Sequence, residues 1–406
     1  MSPNGHIFGS LHRKRTMTIP KAHVQFWSSV ECGPLAHSLI SELRNEGWDA
    51  AHCFHVSQFT YRKTRSKIAS LWLRFRMYIC YPVYMIWRIL LSPKPLIAVV
   101  STNTFYVPLL ASMVGRVWNV KVVHLVYDLY PDALLISGHV KHGSLIEKAL
   151  STVTKMTITR CERNVFLGEH LVRCAAERYR DIPRASVIPV GAEGRIFEDN
   201  PPANNANSEL LTVLYCGNLG YMHDIATFND ALSEDTDGSL GNFQFLFHAN
   251  GPRLEALKEL IAALPAYAYG SIRIETSLSQ EDWVKTMFAA DIAFVTMVPG
   301  AEKVVMPSKA YSALMAGQAI LAVCPRRSDL AETVLKHDCG WVVEPGDADG
   351  LRRLLKELAS DPEQVYEKRV RAFSAGHRIF DTRVVAKQWA SLFKEMGAKP
   401  EHHDTS

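Results

Sequence analysis

The chain has 406 residues, more than one hydrophobic core usually organises, so two domains are expected. An apolar share of 48% supports extensive burial, and 21% charged residues is ordinary for a globular protein. The formal net charge of +4 excludes the basic balance of a nucleic-acid binder, and no nucleic-acid partner is expected.

In chain order, residues 1–20 carry His12, Arg13, Lys14 and Arg15 but no apolar run, and read as a mobile basic N-terminus rather than a signal peptide. From 21 to 197 short β-rich runs alternate with helical stretches. Strands are predicted at Ala22–Ser28, Asp49–Val56, Leu96–Ser101, Lys121–Tyr127, Asn164–Phe166 and Ser186–Pro189, and the first helix at Pro34–Glu46. The stretch Leu71–Leu91 is the most apolar, yet Arg74, Arg76, Pro82 and Arg88 interrupt it, so it falls short of a membrane span.

Residues 198–209 are rich in Pro and Asn without apolar periodicity, which marks a linker. Alternation restarts over 210–380, with strands predicted at Leu211–Cys216, Phe243–His248, Ile272–Glu275, Ile292–Thr296, Ile320–Val323 and Gly340–Val343. Ser279 and Asp282 have capping-box spacing, and Asp361-Pro362 marks another helix start. A last periodic helix within 381–396 is placed to pack back across the domain boundary, and 397–406 reads as a mobile tail. The alternation predicts an α/β chain with two doubly wound, Rossmann-like domains facing an interdomain cleft.

The eight cysteines are scattered, with no CxxC pair, and several lie in apolar runs. They read as buried free thiols of a reducing, cytoplasmic compartment rather than disulfides or a zinc site.

In such sheets ligands bind beyond the carboxyl ends of the strands, so four loops carry the functional search. Glu31-Cys32-Gly33-Pro34 follows the first strand and reads either as an anion-binding helix start or as an ordinary tight turn. Cys216-Gly217-Asn218-Leu219-Gly220, continuing to His223 and Asp224, sets two glycines three apart after a strand and is a candidate phosphate cradle. It lacks the third glycine of a dinucleotide fingerprint. Met306-Pro307-Ser308-Lys309 opens a predicted helix that Gly317 ends. A lysine there opposes the helix dipole unless an anion is present, so Lys309 reads as a diphosphate ligand or as a solvated surface side chain. The fourth loop, His124 to Asp132, places Asp128 and Asp132 where a strand emerges; either carboxylate could meet sugar hydroxyls or cap the next turn. His124, among apolar neighbours, reads as a core histidine.

At these loops the ordered set VYDLYPDAL, YCGNLGYMHD, HANGPRLEAL, PSKAYSALMAGQAILAV and CGWVVEPGD resembles the retaining nucleotide-sugar glycosyltransferases of family 4, with the GT-B fold, over roughly residues 22–395. The resemblance implies a transferase that needs no cofactor and no metal, taking a sugar from a nucleotide-diphosphate donor. By that resemblance Gly33 lies near the diphosphate, Gly217 and Gly220 present backbone to it, Ser308 and Lys309 bind it, and Gly251 borders the nucleoside pocket. The family's two glutamates, separated by seven residues, fall on Val304 and Ser312, with Glu302 the nearest replacement. The family's histidine before the first-domain aspartate is Tyr127, so Tyr127 and Asp128 hold the catalytic position; its arginine and lysine after the glycine turn are Asn218 and His223. These departures mark a divergent branch that resembles transferases of exopolysaccharide and lipid-linked glycan assembly. They also leave open a non-catalytic, membrane-associated partner subunit on a degenerate fold and, with less support, a nucleotide-sugar epimerase.

Residues 61–91 join Arg62, Lys63, Arg65 and Lys67 to Ile68, Leu71, Trp72, Phe75 and Ile79 at helical spacing. The element reads as an interfacial helix on an anionic cytosolic membrane face, or as a core helix whose arginines snorkel outward. The first reading makes a polyprenyl-diphosphate-linked acceptor natural; otherwise the acceptor is a glycan.

Overall fold

The computed structural model describes residues 23–400, apart from Cys32, 58–59, 62–65, 199, 204–209, 236–238, 265–271 and 276–277. The expectations for 1–20, for 401–406, for Arg62, Lys63 and Arg65, and for most of the linker lie outside the described residues.

Two parallel six-stranded sheets form the frame. The first holds β1 (Val24–Val30), β2 (Ala50–Val56), β3 (Leu96–Ser101), β4 (Val120–Val126), β5 (Arg163–Phe166) and β6 (Ala185–Val187), in the order β2-β1-β3-β4-β5-β6. The second holds β7 (Leu211–Asn218), β8 (Phe243–Asn250), β9 (Ile272–Glu275), β10 (Ile292–Thr296), β11 (Ala319–Val323) and β12 (Gly340–Val343), in the order β12-β11-β10-β7-β8-β9. Every residue of β3, β10 and β11 is buried, as sheets covered on both faces require. β7 and β8 run two residues beyond their predicted ends, through Asn218 and Asn250, because they pair in register over that whole length.

Both orders are doubly wound. The second is the 3-2-1-4-5-6 arrangement of dinucleotide-binding sheets, and the first the 2-1-3-4-5 arrangement with one strand added. Each has a topological switch point, between β7 and β10 in one sheet and between β1 and β3 in the other. The polypeptide leaving those strands parts to opposite sides there and opens a crevice.

Contacts across the domains fix their mutual placement. The Asp329 carboxylate accepts from the backbone N–H groups of His170 and Leu171, at 2.8 and 3.1 Å, and so caps a helix of the other domain. The final helix, Thr382–Glu395, lies against the first domain, with Trp389 5.1 Å from Phe26 and Phe393 5.2 Å from Trp48 by ring centroid. One continuous core therefore runs from β1 to β11. The described cysteines are all unpaired. His124 is the core side chain its neighbours suggested: it bonds Asn164 at 3.0 Å, and burial lowers its pKa to about 4.

The 61–91 element has one buried and one exposed apolar face, and its arginines correct the core-helix reading. Lys67–Phe75, a π turn at Arg76–Cys80 and Tyr81–Leu91 form one unbroken helical rod. Tyr81, Met85 and Ile89 bury one face against β1, β2 and β3 and Leu73 is buried as well, while Ile68, Leu71, Trp72, Phe75 and Ile79 are exposed. The arginines do not all snorkel outward. Arg88 is buried and donates to the Tyr84 hydroxyl at 3.0 Å, and Arg76 donates to the His55 carbonyl at 3.0 Å.

Candidate functional site

A cavity of about 730 Å³ opens at the switch point of the second sheet. Its walls come from the loops after β7, β8 and β10, from the Lys309–Met315 helix, and from the 191–197 segment that connects the sheets. Of the residues singled out by sequence, Gly217, Asn218, Gly220, His223, Ser308, Lys309 and Ser312 line this one space.

Lys309 is the centre of its electrostatics. The ammonium donates to the Tyr215 hydroxyl at 2.5 Å and sits 3.9 Å from the centroid of the same ring. It also approaches the Asn218 carbonyl at 3.4 Å and His223 Nε2 at 3.5 Å. Among the described residues no carboxylate stands within ion-pair distance of it. Burial without a counter-charge lowers its pKa to about 7. Lys309 opens a helix of seven residues, and the Tyr215 ring and hydroxyl hold the cation.

His223 is held in one tautomer. Its Nδ1 lies 2.9 Å from the Thr296 carbonyl, which can only accept, so Nδ1 carries the proton and Nε2 is free to accept. Burial first, then the nearby Lys309 charge, lowers its pKa to about 4 and keeps the ring neutral. Arg253 donates to the His223 carbonyl at 2.6 Å and fastens the loop from behind.

The glycines divide into two roles. Gly217 has φ of 137° and borders Lys309, so backbone rather than side chain faces the cavity there. Gly251 does not line the cavity. Its φ is 119°, and a Cβ would lie 2.5 Å from Asn218 Oδ1 and 2.7 Å from the Leu219 carbonyl, so it supports the β7 loop from outside.

Several expected members stand elsewhere, each for a packing reason. Val304 is fully buried in the shared core, and its carbonyl accepts from Leu129 N–H at 3.3 Å. Glu302, the proposed replacement, is buried in a short 3-10 turn packed against the Glu169–Tyr179 helix, outside the cavity. Gly33 opens the first helix. Tyr127 lines a separate apolar pocket of about 60 Å³ at the switch point of the first sheet, with Trp27, His52 and Ser101. Asp128 lies beside it, its N–H donating to Thr102 Oγ1 at 3.1 Å, and burial pushes its carboxyl up to about 6. Asp132 lies in the first turn of a short helix and pairs with Arg178 at 2.9 Å; its side chain does not cap that helix. The cleft is therefore walled mainly by one domain. Tyr215, Arg253 and Trp283 were missed by sequence reading; a tyrosine two residues before a glycine turn, on the same face of a strand, was the available signal for the first.

No protein-family model matches the chain. The probable glycosyltransferase WbjE of Pseudomonas aeruginosa is 26% identical over 258 residues, 62% of this chain and 62% of that protein's length. Among solved structures, HepE from Anabaena in complex with UDP superposes with a TM-score of 0.66 at 11% identity, covering 92% of this chain and 99% of that one. Sucrose-phosphate synthase from Thermosynechococcus elongatus gives 0.65 at 14% identity, over 92% and 98%. WaaG, a glycosyltransferase involved in lipopolysaccharide biosynthesis, gives 0.64 at 11%, over 91% and 99%. With these neighbours and its two facing doubly wound sheets, the chain has the GT-B fold.

Proposed function

We propose that the chain is a glycosyltransferase that takes a sugar from a nucleoside-diphosphate donor seated along the β7 and β10 loops. One observation carries the reading. A half-buried ammonium, Lys309, faces a cavity of diphosphate-sugar size beside the exposed backbone of Gly217, with no carboxylate partner among the described residues. The relative named a probable glycosyltransferase and the neighbour complexed with UDP support it.

The chemistry follows from charge. Breaking the bond between the anomeric carbon and the diphosphate leaves added negative charge on the departing oxygen. A preorganised cation in a low-dielectric site stabilises that charge without reorganising. Ser308 hydroxyl and backbone N–H groups of the glycine turn supply further donors, so the site is proposed to work without metal. Neutral His223 presents Nε2 as an acceptor for a donor hydroxyl.

The sugar then bonds to an acceptor oxygen, with retention at the anomeric carbon. The acceptor, a glycan or a polyprenyl-diphosphate-linked sugar, is proposed to enter from the first domain. There Tyr127 and Asp128 meet it, and the raised Asp128 carboxyl is suited to exchange a proton near neutral pH. The work is assigned to the cytosolic side.

Calorimetric titration of UDP, UDP-glucose and a panel of other nucleotide sugars, in the presence of a chelator, tests the reading. At least one nucleoside diphosphate should bind wild-type protein, and Lys309→Ala should abolish that binding while the fold persists. Absence of binding by every member, or unchanged binding by the variant, rejects it.

A further inference from the structure

The outer face of the first domain carries a feature that sugar transfer does not use. Ile68, Trp72, Phe75, Ile79, Val83 and Trp87 follow one another at steps of three or four along the helical rod, so they form a single stripe. Their exposures are 84%, 60%, 44%, 53%, 66% and 54%, which is the reverse of what a covering helix shows. Trp72 and Phe75 stack at 5.3 Å with an 18° interplanar angle, so the rings form a rigid apolar plate. On the neighbouring Val107–Val117 helix and its end, Met113, Val117 and Trp118 are exposed as well, at 49%, 71% and 45%. A contiguous exposed apolar surface of this extent marks an interaction site.

Charge identifies the occupant. From Ala50 to Tyr127 the chain contains no Asp and no Glu, and it contains ten Lys and Arg residues. Removing those ten from the chain's 45 leaves 35 against all 41 acidic residues, so the rest of the chain is net acidic while this segment is purely basic. Lys67, Arg74 and Arg116 are exposed beside the apolar stripe. A long apolar edge with aromatic rings, flanked by cations on a segment without acidic residues, matches an anionic bilayer, whose headgroups are negative and whose interior is apolar. No described helix is long and apolar enough to cross a membrane, so the rod lies on the surface.

The placement of the rod links this surface to the cleft. Thr104 Oγ1 donates to the Met77 carbonyl at 3.4 Å, and the Tyr106 hydroxyl donates to the Tyr78 carbonyl. Both bonds pin the middle of the rod to the loop after β3, at the carboxyl ends of the strands. Lys67–Phe75 therefore projects past the sheet on the side where the strands end, which is the side of the cleft.

We infer that this face docks the protein on an anionic membrane, with the Trp72–Phe75 plate inserted at headgroup depth. Where the donor-site reading also holds, a lipid-anchored acceptor reaches the cleft without leaving the bilayer.

The full-length chain sedimented with phosphatidylcholine vesicles, with and without phosphatidylglycerol, provides the test. The protein is expected to pellet with the anionic vesicles and to be released by salt. Trp72→Ser with Phe75→Ser should weaken that binding about tenfold or more, since two buried rings are lost. Lys67→Ser with Arg74→Ser should lower the preference for phosphatidylglycerol several-fold while circular dichroism stays native. Wild-type protein remaining in the supernatant with anionic vesicles overturns the inference. So does undiminished binding by the ring variant. A concentration-dependent dimer broken by the same ring substitutions, without vesicle binding, assigns the stripe to a second copy of the chain and likewise overturns it. UDP titration in the absence of vesicles reports on the donor site separately, so either reading can fail alone.

Discussion

Two cations in the second domain contrast a charge paired inside the protein with one proposed to meet a ligand. Arg369 donates to Asp291 at 2.8 Å and to the Gly317 carbonyl at 3.2 Å, and Asp291 in turn accepts from Thr212 N–H at 3.0 Å. Its counter-charge is internal, and the pair ties the starts of β7 and β10 to the Pro362–Ala375 helix. Lys309 has a ring, a hydroxyl and a carbonyl around it but no anion among the described residues. The first arrangement is complete without a ligand. The second has no internal counter-charge among the described residues, and desolvation lowers the Lys309 pKa to about 7.

The comparison can be broken most decisively at Arg369. Arg369→Met leaves Asp291 buried and unpaired, and is expected to cost about 3–5 kcal/mol of stability, read by denaturant unfolding. A loss under 1 kcal/mol would remove the distinction between the two cations (roughly the worth of an exposed pair).

At Lys309 the opposite signature is expected. Lys309→Met should reduce nucleoside-diphosphate affinity by about 100-fold, the loss of a desolvated charge-assisted contact. It should raise the melting temperature of the unliganded protein by roughly 2 °C or more, because an unpaired buried charge is removed. The sign follows from linkage. The folded-state pKa of Lys309 lies below its unfolded value of 10.5, so the folded state binds fewer protons, and its destabilising contribution is full below about pH 7 and fades as pH rises toward 10.5. A lower melting temperature together with unchanged affinity would make Lys309 structural.

The same shift predicts pH-dependent donor binding. The diphosphate needs the ammonium form, which is already populated below about pH 7 and is lost above it. Affinity should therefore fall by up to about tenfold per pH unit above neutrality, until the pKa of the bound complex is reached. In Lys309→Met this slope should vanish; a slope that persists would assign it to another group.

The smallest effect is expected at Gly251. Gly251→Ala forces a Cβ against Asn218 and Leu219 at positive φ, and should cost about 1–2 kcal/mol of stability and a few-fold in donor affinity. Donor affinity unchanged by this substitution would show that the β7 loop needs no support from behind.

The alternation of apolar strands and periodic helices was legible in the chain, because parallel strands buried on both faces read as unbroken apolar runs such as Ile292–Thr296. Strand ends were less legible: pairing with a neighbour, not local propensity, carries β7 on to Asn218. The glycine turn was found from two glycines three apart after a predicted strand, and Lys309 because a cation at a helix start breaks a local rule. Tyr215 broke none, since a tyrosine in a buried strand is ordinary until its hydroxyl is seen to hold an ammonium.

By itself, then, the amino-acid order determined two doubly wound sheets, the loops at their strand ends, and an amphipathic rod in the first domain. Each of these depends on spacing within a short window, and periodicity is a local property. Only the tertiary structure decided which loops share a cavity. It joined Lys309 to Gly217 and His223, placed Tyr127 and Asp128 outside, and buried Val304 and Glu302 in the join between domains. It also decided that the apolar stripe of the rod faces outward. These outcomes depend on how two sheets pack against each other, through contacts between residues more than a hundred positions apart such as Leu129 with Val304 and Asp329 with His170. No spacing along the chain encodes them.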